Sequence, residues 1–216
     1  MTTRQSDRAI KQSFRPLLEA NGFDLEKVEG VRATRERGRY HDQVTVLVIW
    51  TVPRVVRVFV RVRSDSLNEF MVGLWPEWGL DHPNGALNLG TFEPGADPFH
   101  ADGARWGWDF DGPEPPEALL EEIKPLLDST CTHLRSVCNA DTHADLIREH
   151  AFNLGPLRPA PVLAGALAHA GRYHEAVRIC RAALGSNEAA LAESVSYAPQ
   201  ARPLLQAILD YCEARF

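Results

Sequence analysis

Between Trp75 and Pro116 the two histidines, His82 and His100, stand with Asp97 and Asp102, side chains suited to proton transfer or metal chemistry. Histidine beside a carboxylate moves protons near neutral pH, so this group would make the chain a hydrolase. No fixed-spacing signature such as His-Glu-x2-His accompanies them, and such residue types meet by chance in polar stretches. Cys131, His133, Cys138 and His143 fall within thirteen residues and have the types that bind zinc. Their spacings do not match the short Cys-x2-Cys or His-x3-His pairs that tetrahedral geometry favours. On a helix Cys131 and Cys138 share a face while His133 points elsewhere, which favours two small buried thiols and two solvated histidines. The chain also lacks Gly-x-Ser-x-Gly, Gly-Lys-Ser/Thr and Gly-x-Gly-x2-Gly. No catalytic residue, metal ligand or cofactor is therefore assigned, and the sequence leans towards a non-enzyme.

The stronger chemical signal is charge. Residues 1–64 hold thirteen Lys/Arg against seven Asp/Glu, residues 65–128 two against fourteen, and residues 129–216 eight against eight. The acidic third contains Trp75, Trp78, Trp106 and Trp108, and its acids interleave with Phe92, Phe99 and Phe110. Aromatic rings supply desolvated anchors and carboxylates steer a basic partner, so Asp97, Asp102, Trp106, Trp108, Asp109, Asp111 and Glu114 form the candidate partner-binding set. In Arg105 to Phe110 a strand would put Trp106, Trp108 and Phe110 on one face. The plainer alternative is that these rings close the core and the acids only solubilise.

A second set points to nucleic acid. Arg32, Arg35, Arg37 and Arg39, with Arg54, Arg57, Arg61 and Arg63 nearby, can track phosphates, and Tyr40 and Phe59 can stack on bases. The overall charge of −6 and pI of about 5.8 argue against it, because nucleic-acid binders are basic over the whole domain. A solvated outer sheet face, or an intramolecular partner for the acidic third, is the better reading of the arginines.

These residues need elements to hold them. Ile10, Phe14, Leu17 and Leu18 at helical spacing predict a helix over 6–20, stopped at Asn21-Gly22. Val44, Val46, Val48 and Trp50 alternate with Thr45, Leu47 and Ile49, which predicts a strand apolar on both faces. After Pro53, Val56, Val58, Val60 and Val62 alternate with Arg57, Phe59, Arg61 and Arg63, a strand with one basic face. Phe70, Val72 and Leu74 suggest a further strand over 68–75, with others near 27–35 and 86–92. Helices are expected over 116–137, 142–152, 160–170, 173–184, 188–195 and 201–214. The long segment from Trp75 to Pro116 has no sustained period, and loops of that length are commonly functional.

This order predicts an α+β fold: an N-terminal helix and antiparallel β-meander, then a helical C-terminal portion. The expected division is an α+β domain over 1–138 and a helical subdomain over 139–216. No signal-like N-terminus or bilayer-length apolar run is present, so a cytoplasmic location and no membrane partner are expected. The four cysteines lack the density of a disulfide scaffold and read as reduced thiols.

Two resemblances add to this. Pro161 to Leu184, PVLAGALAHAGRYHEAVRICRAAL, resembles the centre of a tetratricopeptide hairpin: Leu163, Ala164 and Leu167, a turn at Gly171 and Tyr173, then Ala176, Ala183 and Leu184. The proline expected after the second helix is missing and no second copy is in register, so the segment implies a helix-turn-helix packing unit without a peptide groove. The SFRPLLEANGF opening, the meander, LNLGTF and the Trp/acid segment, together about the first 125 residues, are similar to small bacterial α+β proteins of unknown function, including immunity proteins encoded beside polymorphic toxins. That resemblance implies an acidic cytosolic non-enzyme occluding a basic toxin. In it Asp97, Asp102, Asp109, Asp111 and Glu114 would mimic a phosphate track against a nuclease cleft, with Trp106 or Trp108 as anchor.

Overall fold

In the computed structural model, residues 3–26, 31–49, 54–76, 89–92, 108–112, 115–151, 160–185 and 198–216 are described. Helix α1 (Thr3–Ala20) leads into strands β1 (Asp24–Leu25), β2 (Val31–Arg37), β3 (Tyr40–Ile49) and β4 (Arg54–Ser64). Helix α2 (Asp65–Leu74) follows, then β5 (Leu89–Phe92), β6 (Trp108–Phe110) and, among the described residues, five further helices. These are α3 (Glu117–Ser136), α4 (Ala140–Ala151), α5 (Ala160–His169), α6 (Tyr173–Leu184) and α7 (Ala198–Glu213). The fold is α+β, with an N-terminal helix, an antiparallel sheet and a helical C-terminal portion. The sheet runs β1-β2-β3-β4-β5, with β6 also on β4. No helix among the described residues is long and apolar enough to cross a membrane. The chain divides into a sheet unit, Met1–Val62 with Thr91–Ser136, and a helical unit, Arg63–Gly90 with Val137–Phe216.

In the sheet unit α1 packs on β1, β2, β3 and α3. Ile10, Phe14 and Leu18, four residues apart, are fully buried, as are Val56, Val58, Val60 and Val62 along the inner face of β4. Each such side chain contributes about 1.5–3 kcal/mol on leaving water. Val44 and Val46 bury the inner face of β3, whereas Thr45 and Leu47 are only half-buried, so that strand is covered unequally rather than on both sides as expected.

α1 ends where Asn21-Gly22 predicts. The Phe23 amide donates to the Leu18 carbonyl and the Gly22 amide to that of Glu19, a Schellman cap with Gly22 at φ +78°. α5 ends the same way: the Arg172 amide reaches the Leu167 carbonyl and the Gly171 amide that of Ala168, with Gly171 at φ +77°. Glycine adopts this left-handed conformation without the Cβ penalty other residues meet.

Polar groups are built into the sheet unit's core. Arg35 is 7% exposed and Asp42, its cross-strand partner, 1%. Arg35 Nε and Nη2 donate to Asp42 Oδ2 at 2.9 and 2.7 Å, and Nη1 and Nη2 donate to the carbonyls of Asn21 (2.8 Å) and Cys131 (3.2 Å). Arg37 Nε and Nη2 donate to Asp42 Oδ2 and Oδ1, both at 2.7 Å. The Arg35 guanidinium also lies 4.4 Å from the Phe23 ring centre.

The helical unit centres on α5, where Ala160, Pro161 and every residue from Leu163 to Ala168 are buried against α2, α4, α6 and α7. Small side chains let these helices approach: a Cβ on Gly165 would fall 2.2 Å from Met71 Sδ. α4 opens on a reciprocal cap, with the Thr142 amide donating to Asn139 Oδ1 at 2.9 Å and the Asn139 amide to Thr142 Oγ1 at 3.2 Å.

The strand expected over 68–75 is instead α2. Ser64 Oγ accepts the Leu67 amide at 3.3 Å and Asp65 occupies the first turn, which together start a helix. Leu67 and Met71, one helical turn apart, are buried while Val72 is only half-buried, so the four-residue period wins over the two-residue alternation of Phe70, Val72 and Leu74. The helix expected over 188–195 lies outside the described residues.

Across the helical unit's surface, Arg172 grips Glu175 through Nε (2.7 Å) and Nη2 (2.8 Å) and Asp145 through Nη1 (2.6 Å), and Arg148 bridges the same two acids. Hydrogen bonding from Arg172 lowers the Glu175 pKa. A depressed carboxylate stabilises the fold above the unfolded value of about 4.3, and the contribution is lost as pH falls through the lower folded value. Glu175→Gln should cost less than about 1 kcal/mol at pH 7, because the pair is partly exposed. The gap between variant and wild type should shrink in thermal melts below about pH 4.

The buried and exposed pairs predict opposite outcomes. Asp42→Ala strands the buried Arg35 and should cost about 3–5 kcal/mol in urea denaturation. Glu26→Ala removes the exposed 3.7 Å pair with Arg32 and should change stability by less than about 1 kcal/mol.

Candidate functional site

β6 is one of the described parts of the acidic, tryptophan-bearing segment. It pairs antiparallel with the start of β4: Arg54 faces Phe110, Val55 faces Asp109 and Val56 faces Trp108. The strand period turns Phe110 into the core, holds Trp108 half-buried and leaves Asp109 in water. That alternation was expected from RWGWDF, and for Trp108 and Phe110 it makes the rings partly core and the intervening carboxylate surface. Asp111 follows, exposed, and Pro115 is buried just before α3. On α3, Glu117, Glu121 and Glu122 are exposed while Leu120, Ile123 and Leu127 pack inward.

Of the candidate set, the described residues therefore include Trp108 and Asp109 in β6 and Asp111 just after it. Asp97, Asp102, Trp106 and Glu114 lie outside the described residues, as do His82 and His100. Trp75 packs at the margin of the helical unit's core.

Folding remixes the charge that is sorted along the chain. Counted over each unit, Lys/Arg and Asp/Glu leave the sheet unit at −2 and the helical unit at −4. Among the segment's described acids, Asp109, Asp111, Glu117, Glu121 and Glu122 are exposed in and just after β6 and at the start of α3.

The arginine set fares differently. Arg35, expected on an outer face, is buried on Asp42, and Arg37 is bound to the same carboxylate. Arg32 lies 3.7 Å from Glu26 and Arg63 lies 3.2 Å from Asp65. The side chains of Arg57, Phe59 and Arg61 are outside the description. The inward phase of β2 (Val31, Ala33, Arg35) and of β3 (Asp42, Val44, Val46) was the signal for this pair, since both charges sit in step with buried residues.

The Cys/His group is dispersed by burial. Cys131 and His143 are buried and Cys138 and His133 exposed, rather than cysteines in and histidines out. No group of three or more His, Cys, Asp or Glu among the described residues is placed to hold a metal ion. All four cysteines are free. Burial pushes the thiols of Cys131 and Cys180 up to about 12 and raises that of Cys212, which suppresses the thiolate that nucleophilic chemistry needs.

Comparison with known proteins finds no matching family model, no matching curated protein and no matching solved structure.

Thiol titration with a chromogenic disulfide at pH 8 should therefore find one fast-reacting group per native chain, Cys138, and four after denaturation. Cys138→Ser should abolish the fast phase.

Proposed function

We propose that this chain is a non-enzymatic cytosolic binding protein, an immunity-type inhibitor that occludes a basic toxin-like protein. The supporting observation is the run Trp108-Asp109-Phe110-Asp111. There a sheet edge fixes two rings while two carboxylates stand in water, followed by exposed Glu117, Glu121 and Glu122 on α3. A half-buried tryptophan loses little freedom on binding, and preorganised acids near it favour a cationic surface by short-range, desolvated pairing. A nuclease cleft, built to hold a phosphate chain, is a surface of that kind. Asp97, Asp102, Trp106 and Glu114 belong to the proposed interface through the sequence pattern.

Arg35 and Arg37 of β2 are both bound to Asp42 and so add nothing to a nucleic-acid track, while the side chains of Arg57 and Arg61 on β4 lie outside the described residues.

The test is capture by the immobilised chain from a lysate of its native cell, with protein and nucleic acid both identified. One basic protein should be held near stoichiometrically. The double reversal Asp109→Lys with Asp111→Lys should weaken that complex on the order of a hundredfold, since like charges across an interface cost several kcal/mol. Circular dichroism and Tm should stay unchanged, because both residues are exposed. Retention by the reversed variant, or recovery of nucleic acid alone, would overturn the proposal.

A further inference from the structure

The surface of α6 in the helical unit carries His174, Val177, Arg178 and Arg181, spaced i, i+3, i+4 and i+7 along one stripe. With Phe216 they line an open groove of about 460 Å3, within the roughly 300–1,000 Å3 that small ligands occupy. Phe216 is 62% exposed, and its ring stacks on the His174 imidazole with centroids 4.3 Å apart and planes at 19°. Val177 is nearly buried and gives the groove an aliphatic floor.

The two guanidinium groups are unequally engaged. Arg181 Nη2 donates to Glu213 Oε1 at 2.8 Å, leaving its other donors. Arg178 is exposed and makes no hydrogen bond or ion pair among the described residues. Three residues apart on one helix, both arginines line the groove.

We propose that this groove binds a small anion carried on a flat apolar body, either an aromatic carboxylate or a nucleoside monophosphate. The ring would pack against Phe216 and Val177 while Arg178, assisted by Arg181, takes the anionic oxygens, the planar fork being matched to carboxylate and phosphate alike. The site uses no residue of the β6 and α3 surface, so it stands or falls independently of the inhibitor reading.

Calorimetric titration of the full chain tests it with adenosine 5′-monophosphate and indole-3-acetate as probes. Adenosine, indole-3-ethanol and inorganic phosphate serve as the partial ligands. At least one anionic aromatic should bind saturably and more tightly than its neutral or ring-free counterpart, and which of the two binds better assigns the phosphate or the carboxylate. Arg178→Ala should weaken that binding by about tenfold or more, the loss of a charge-assisted hydrogen bond. Phe216→Ala should weaken it as well, and neither variant should shift Tm appreciably. Saturable binding by neither probe, equal binding of the partial ligands, or affinity unchanged in both variants would overturn the assignment.

Discussion

A guanidinium enclosed in the sheet unit sets the terms for the elements around it. An unpaired charge at that depth would cost several kcal/mol, so Arg35 is tolerable only with its partners in place. Those partners come from three places: Asp42 on β3, the Asn21 carbonyl where α1 ends, and the Cys131 carbonyl on α3. Slipping β2 by one residue against β3 would carry Arg35 to the outer face and leave Asp42 buried without it. The pair thus works as a register lock, and the two carbonyls extend the lock to both helices. Asn21 reinforces it by donating through Nδ2 to Leu17 O at 3.0 Å and Asp128 Oδ1 at 2.8 Å, tying the end of α1 to α3. The placement of α3, and of the acids it exposes, follows from that geometry.

The helical unit solves its packing problem by size. α5 is hydrophobic all round because it is surrounded, and Ala164, Gly165, Ala166 and Ala168 keep its neighbours close. Its ion pairs stay at the surface, where Arg172, Arg148, Asp145 and Glu175 join α4 to the start of α6. Half-exposed groups of this kind add little stability each but hold a geometry. One unit therefore tolerates substitution at its charges and depends on small side chains, while the other depends on a buried charge.

What the residues disclose in advance follows the same division. α1, β4, α3 and α6 are legible because their apolar residues keep one period from end to end, and α5 as an unbroken run of small and apolar residues; caps are explicit at Asn21-Gly22 and Gly171. α2 misleads because Phe70, Val72 and Leu74 also fit a strand; Ser64 and the Leu67-Met71 spacing decide it once a core exists for the helix to cover. Arg35 was misread by type, as a surface cation, although its phase with Val31 and Ala33 pointed inward. The pairing across strands that makes this acceptable depends on register, which one strand's sequence does not state. For the site, the turning of Trp108 and Phe110 to the sheet and Asp109 to water was readable from alternation alone.

Remixing of charge has a consequence for binding. A chain whose first third is basic and whose middle third is acidic suggests a molecule with opposed poles, yet the fold interleaves the two, and the sheet unit retains a balance of only −2. For the basic partner proposed above, long-range attraction would be correspondingly modest at physiological salt, where charges beyond about 8 Å are screened. Recognition then rests on short-range placement: which carboxylates stand beside which ring, and how firmly the backbone holds them. In the proposed interface β6 would meet that requirement through its register on β4, as Arg35 and Asp42 fix the register of β2 on β3 within the same sheet.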